Sequence, residues 1–172
     1  INISSYTKHK IHDLLIGIFE VLSKKYNDLK MFLIGVPFSS DIADYVQKNN
    51  LGKGIIIIPQ ANNVYKYLMA SDFYISTADI EGLINSWLES LSFGVPIIAN
   101  DTAGCSELIE EGKNGFIVSN NDKKEFINKF DRMLSLNYNK LSENSKLKAK
   151  NFDIKKNVQK YEDIFVELQT KI

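Results

Sequence analysis

The sequence predicts an α/β protein built on a parallel β-sheet with helices on both sides. Two observations carry this. Short apolar segments alternate with segments of helical spacing along the whole chain. The apolar segments also lack an in–out alternation: "LKMFLIG" (29–35), "GIIIIP" (54–59) and "PIIAN" (96–100) are apolar at consecutive positions. Strands buried on both faces belong to sheets sandwiched between helices. A length of 172 residues fits one domain, taken as residues 1–172.

The elements follow in order. Ile1-Asn2-Ile3 reads as the end of a strand whose start is missing, so the chain is expected to be a fragment of a longer protein cut near a domain boundary. Residues 9–24 carry Ile11, Leu14, Leu15, Ile18, Phe19 and Leu22 at helical spacing. The strand at 29–35 follows, then a short helix to about Gln47 with Asp41 as its N-cap. "GIIIIP" is β-branched throughout and stopped by Pro59. A helix at 63–70 leads to the strand "FYIST" (73–77), a helix at 85–93 to "PIIAN", and a short helix at 106–110 to "NGFIV" (114–118). Asp122 and Glu125 have capping-box spacing for a helix to Leu134, and helical stretches at 142–150 and 154–169 close the chain. Counting the stub, this is a doubly wound, Rossmann-like parallel sheet of six strands. Such sheets bind ligands at the carboxyl ends of their strands, so the loops after the strands are the places to seek chemistry.

Composition narrows the function. Lys plus Arg and Asp plus Glu both total 21, so no whole-domain field for nucleic acid is expected. The longest apolar runs fall far short of the roughly 20 residues a membrane span needs. The single cysteine, Cys105, excludes an internal disulfide and fits a reducing compartment, and an inert thiol is expected there.

The loop after "FYIST" is the most informative. Gly82 allows close backbone approach, and the amides of Leu83, Ile84 and Asn85 open the next helix as unpaired donors, suited to a phosphate. Glu89 lies about one turn inside that helix, shares a stripe with Asn85 and leans back toward its mouth, while Trp87, Leu88 and Leu91 face the sheet. Glu81 precedes the helix. Carboxylates repel phosphate but accept hydrogen bonds from hydroxyls, so a ligand bearing both groups suits the arrangement. The residues alone leave a second reading open: an acidic capping residue and a solvated helix glutamate.

The stretch Glu81-Gly82-Leu83…Glu89-Ser90-Leu91-Ser92-Phe93-Gly94-Val95-Pro96-Ile97-Ile98 resembles the E-x7-E signature of family-4 (group 1) retaining glycosyltransferases. Asp101-Thr102-Ala103-Gly104-Cys105-Ser106-Glu107 resembles that family's D-x-G-G-x-x-E loop, with Ala103 in place of the first Gly. Glu111 to Val118 resembles its following strand, and Phe152 with the helix after it resembles a closing helix that packs back toward another domain. The resemblance implies a GT-B enzyme of two Rossmann-like domains, of which this chain would be the C-terminal, donor-binding one. It implies that Glu89 binds the ribose of a nucleoside diphosphate sugar and that Glu81 binds the transferred sugar near the reacting carbon. The backbone at Gly82, Leu83, Ile84 and Asn85 would hold the diphosphate or sugar, and Gln60 would lie near the base. Lys10 aligns with the family Lys that neutralises the leaving diphosphate, whereas Ser4 and Ser5 stand where the family has Gly and Arg. Ile84 stands where many members have Gly.

The implied activity is transfer of a hexose or hexosamine to a saccharide or lipid-linked acceptor, with no cofactor and no metal. The isolated fragment is expected to be inactive. Alternatives are another GT-B activity, such as a nucleotide-sugar epimerase, or a degenerate domain that binds a nucleotide sugar or a partner protein. His9 and His12 are expected to be solvated or capping, since one helix turn is a poor metal site. Asp79 and Glu81 are expected to be a loop acid pair. The seven lysines between Lys140 and Lys160 are expected to form a solvated face, with contact to anionic lipid as the other reading. The expected location is cytoplasmic, with peripheral membrane contact as an option.

Overall fold

The computed structural model describes residues 1–81 and 85–169. The strands are β1 (Asn2–Ile3), β2 (Met31–Ile34), β3 (Ile55–Ile58), β4 (Tyr74–Ser76), β5 (Ile97–Asn100) and β6 (Gly115–Val118). The helices are α1 (His12–Lys25), α2 (Asp41–Lys48), α3 (Tyr65–Met69), α4 (Asn85–Ser92), α5 (Cys105–Leu108), α6 (Lys123–Leu134), α7 (Tyr138–Ala149) and α8 (Ile154–Gln169). All strand pairs are parallel.

The expected single six-stranded ladder is divided into two three-stranded sheets, ordered β1-β2-β3 and β4-β5-β6. The division falls beside β1, which is only two residues long and cannot sustain a second ladder. The two sheets still meet edge to edge: the Ile75 amide donates to the Ile1 carbonyl at 2.9 Å, and the Asn2 side-chain amide donates to the Ile75 carbonyl at 2.8 Å. The spatial order is therefore β3-β2-β1-β4-β5-β6. The chain winds from β1 toward β3, then crosses back to β4 and winds the other way. The crevice between the carboxyl ends of β1 and β4 is the topological switch point, where sheets of this kind bind ligands.

Each strand serves two cores because successive side chains point to opposite faces. On β5, Ile97 and Ala99 pack with Trp87 and Leu91 of α4, while Ile98 packs with Ile18 of α1 and Phe126 of α6. Leu15 and Ile16 of α1 and Ile42 and Val46 of α2 form a further cluster with β2 and β3. Helices α1, α2 and α6 thus cover one face and α3 and α4 the other, while α7 reaches both, with Leu141 in the α6 cluster and Ala149 against the α4 cluster. The inward orientation expected for Trp87, Leu88 and Leu91 is observed, with Leu88 partly buried.

Local differences from the sequence reading have physical causes. The helix expected over 9–24 is broken: a 3₁₀ turn at Lys8–Lys10 ends at Ile11, whose φ of 47° lies in the left-handed region, and α1 starts afresh at His12. Ser40, not Asp41, caps α2, its Oγ accepting from the Ala43 amide at 3.2 Å. Asp122 caps α6 as expected, but Glu125 reaches back past it to the Ser119 amide at 2.9 Å. Helix α7 begins at Tyr138, four residues before the expected start, because Asn137 caps it there. Helix α8 buries no residue and exposes an apolar stripe of Ile154, Val158, Tyr161, Phe165 and Leu168. Among the described residues no helix is long and apolar enough to cross a membrane.

Candidate functional site

The switch point is built by the segments after β1 and β4. Thr77, buried at the end of β4, donates its hydroxyl to the carbonyls of Lys10 (2.8 Å) and Ile11 (3.1 Å). The Asp79 amide donates to the His9 carbonyl at 3.0 Å. These bonds hold the turn at Lys8–Lys10 against the loop that leads to α4, across some seventy residues of sequence.

Side chains pair across the same seam. The Lys10 ammonium forms an ion pair with the Glu81 carboxylate, and both side chains are largely buried, 19% and 14% exposed. His9 Nδ1 faces Asp79 at 3.3 Å in an exposed position. Asp79 and Glu81 both lie in the loop, and each faces its own basic partner across the seam.

Glu89 is half-buried on α4, and among the described residues its carboxylate takes no hydrogen bond or ion pair. Among those residues it is a free acceptor one turn inside the helix. The Tyr74 phenol lies between the two glutamates in electrostatic terms. Burial pushes its pKa up to about 12, the bonds from Ser86 and Ile3 oppose this, and the charges of Glu81 and Glu89 add to the rise. Tyr74 Oη donates to the Ile3 carbonyl at 2.8 Å, accepts from the Ile3 amide at 3.2 Å and meets Ser86 Oγ at 3.0 Å. One buried hydroxyl thereby ties β1, β4 and the first turn of α4 together.

The loop after β1 is fixed by a second polar chain. Asn2 Nδ2 is used on Ile75, and Ser4 Oγ donates to Asn2 Oδ1 at 2.8 Å. With its proton spent there, Ser4 Oγ accepts from His12 Nε2 at 3.0 Å. This sets the tautomer of His12 and leaves Nδ1 a bare acceptor, buried without a partner among the described residues. Burial, aided by Lys10 and opposed by Asp13, lowers the His12 pKa to about 4. The expectation that His12 is solvated or capping fails; it is a neutral core residue. Gly35 completes the fit. Its φ of 97° suits glycine, and a Cβ there would lie 2.3 Å from the Ser4 carbonyl oxygen.

Other expected site residues are placed as follows. Ser5, Gln60 and Asn85 are exposed, Asn85 at the first turn of α4 and Gln60 just past β3. Gly82, Leu83 and Ile84 lie outside the described residues. Cys105 is buried, its Sγ bonding the Asn100 carbonyl at 3.0 Å, and burial pushes its thiol pKa up, in keeping with an inert thiol. Beyond β4, β5 and β6 an open polar cleft of about 530 Å³ is lined by Asp79, Asn100, Asp101, Ser119, Asn120 and Asn121. Among the described residues no cluster of three or more His, Cys, Asp or Glu side chains could hold a metal ion. Tyr74, Thr77 and Ser86 were not expected as site residues. The available signal was a Tyr and a Thr inside an apolar strand, where a buried hydroxyl needs a partner.

The α/β fold with its parallel strands matches GT-B glycosyltransferase domains. The structure superposes on TarM with a TM-score of 0.82 at 24% identity, covering 95% of this chain and 34% of that one. It superposes on the pneumococcal O-GlcNAc transferase GtfA, solved with UDP and GlcNAc, with a TM-score of 0.85 at 19% identity, covering 98% and 35%. Residues 1–152 match the family described as glycosyl transferases group 1, and the chain belongs to that family. Among its relatives is an uncharacterized glycosyltransferase of Haemophilus influenzae, 27% identical over 160 residues, covering 91% of this chain and 45% of the relative. Another is the UDP-Gal:α-D-GlcNAc-diphosphoundecaprenol α-1,3-galactosyltransferase of Escherichia coli, 30% identical over 131 residues, covering 73% and 33%. The chain spans less than half the length of these relatives.

Proposed function

We propose that this domain binds the nucleoside diphosphate sugar donor of a retaining glycosyltransferase that transfers a sugar to a saccharide or lipid-linked acceptor. One observation carries the reading: a largely buried Lys10–Glu81 pair at the switch point, with the carboxylate of Glu89, unpaired among the described residues, one turn inside the adjoining helix. A cation suits the diphosphate and two carboxylates suit hydroxyls, which is the chemistry of a nucleotide sugar. Glu89 would accept from the ribose and Glu81 from the transferred sugar. Backbone amides at Gly82, Leu83, Ile84 and Asn85 would complete the phosphate site. Gln60 and Ser5 would lie at its margins, near the base and the diphosphate.

In the reaction the bond from the sugar's anomeric carbon to the diphosphate breaks, its electron pair going to the diphosphate oxygen, as the acceptor's hydroxyl oxygen bonds to that carbon and its proton passes to the departing diphosphate. Negative charge grows on the leaving diphosphate, and Lys10 would stabilise it in place. No metal and no cofactor is required in this scheme, since the lysine and the helix amides supply the electrophilic help. The acceptor's binding site, the remaining half of the active site, would come from a second domain, against which the apolar stripe of α8 would pack. The E. coli relative, whose name gives a diphosphoundecaprenol-linked acceptor, supports a lipid-linked substrate.

The exposed Ser5, where the resembled family carries an Arg, favours a second reading: a domain that holds the donor without turnover. Transfer assays on the intact protein test both. Glu89→Ala should raise the donor KM, and Lys10→Ala should lower kcat by roughly 10²-fold, the scale of losing one transition-state charge partner. Full activity in both variants refutes the site. Donor binding with no turnover in the unmutated protein selects the second reading.

A further inference from the structure

The Lys10–Glu81 pair joins the two charges that the donor-site reading gives to different parts of the ligand. Both side chains are largely buried, so the pair is less screened than one at the open surface. The turn that carries Lys10 is tied to the loop just before Glu81, because Thr77 holds the Lys10 carbonyl and the Asp79 amide holds that of His9. Any ligand that takes Lys10 must therefore leave Glu81 as an unpaired, largely buried carboxylate. Such a group needs a new hydrogen-bond donor. Tyr74 cannot supply it, since its proton is spent on the Ile3 carbonyl.

A bare nucleoside diphosphate offers anionic oxygens to Lys10 and only repulsion to Glu81. A diphosphate carrying a sugar offers the same oxygens to Lys10 and hydroxyl donors to Glu81. We propose that the Lys10–Glu81 pair is a specificity device that selects the sugar-bearing nucleotide over the bare diphosphate. After transfer the sugar hydroxyls are gone, Glu81 recaptures Lys10, and the product diphosphate is expelled. This rests on the donor-site reading given above and adds to it a role for the charge balance between two residues.

Calorimetric titration of the chain with UDP and with UDP-glucose and UDP-GlcNAc tests it, with the GDP and ADP series used if the uridine nucleotides do not bind. The unmutated chain should bind a sugar form more tightly than the matching diphosphate. Glu81→Gln should bind the bare diphosphate about tenfold more tightly than the unmutated chain, as removal of a competing charge predicts, and should lose the preference for the sugar form. Glu81→Ala should repeat the tightening, which guards against a folding defect peculiar to one variant. Unchanged or weaker diphosphate binding in both variants overturns the inference and leaves the donor-site reading standing. If the unmutated chain binds no nucleotide, the donor-site reading fails and the inference falls with it.

Discussion

Ile11 is a β-branched residue at φ 47° and ψ 53°, where the left-handed region disfavours a branched Cβ. It is the joint between the turn that carries Lys10 and helix α1, so local strain is stored next to the proposed leaving-group site. Ile11→Gly should raise stability by about 0.5–1 kcal/mol, the relief of the left-handed cost less the entropy of glycine. Ile11→Val should bring no gain; equal effects of the two in denaturant unfolding would contradict the strain. His12 gives a pH prediction. Its folded pKa is about 4, below the ordinary 6.5, so the unfolded chain binds a proton that the folded chain refuses. Its contribution is fully present above pH 6.5 and is lost as pH falls from 6.5 toward 4. His12→Asn should flatten the stability profile between pH 6.5 and 5; an unchanged slope would show that His12 is not held neutral. Neither feature was legible in the sequence. Hydrophobic spacing runs smoothly through Ile11, a branched residue argues against a left-handed joint, and nothing local reveals that His12 meets Ser4.

At the scale of elements, strands were legible to within one or two residues because burial on both faces leaves runs such as "IIII" with no other reading. Contacts between elements were not, since Lys10 meets Glu81, and Ile3 meets Tyr74, across 71 positions. The two glutamates could be placed near one helix mouth from their spacing; that one is paired and the other free could not. Tyr74 tests the joint between β1, β4 and α4. Tyr74→Phe should cost roughly 1–2 kcal/mol by leaving the Ile3 and Ser86 groups short of a partner, and should raise the donor KM by disturbing α4. A loss of stability with unchanged KM would limit Tyr74 to the core. On the far side of α4, Gly94 has a φ of 78°, and a Cβ there would come within 2.3 Å of Ser142 Oγ on α7. Gly94→Ala should therefore cost about 2 kcal/mol or more, read as a lower thermal midpoint.

For the whole molecule, the doubly wound order puts the proposed chemistry where the two halves of the sheet diverge. The short β1 explains both the divided ladder and the crevice, because the sheet is held there by a few bonds instead of a full ladder. The group 1 glycosyl transferase match ends at residue 152, and the apolar stripe of α8 lies beyond it, fully outside this domain's core. The central claim is that a nucleotide sugar sits at the switch point between Lys10 and α4. The most direct measurement is calorimetric titration of UDP-, GDP- and ADP-sugars into the chain and its Glu89→Ala and Lys10→Ala variants. The account predicts that one nucleotide series binds and that each substitution weakens it by about tenfold or more, as expected for losing a hydrogen-bonded charged contact. Binding of no series, or binding that both variants leave unchanged, would contradict it.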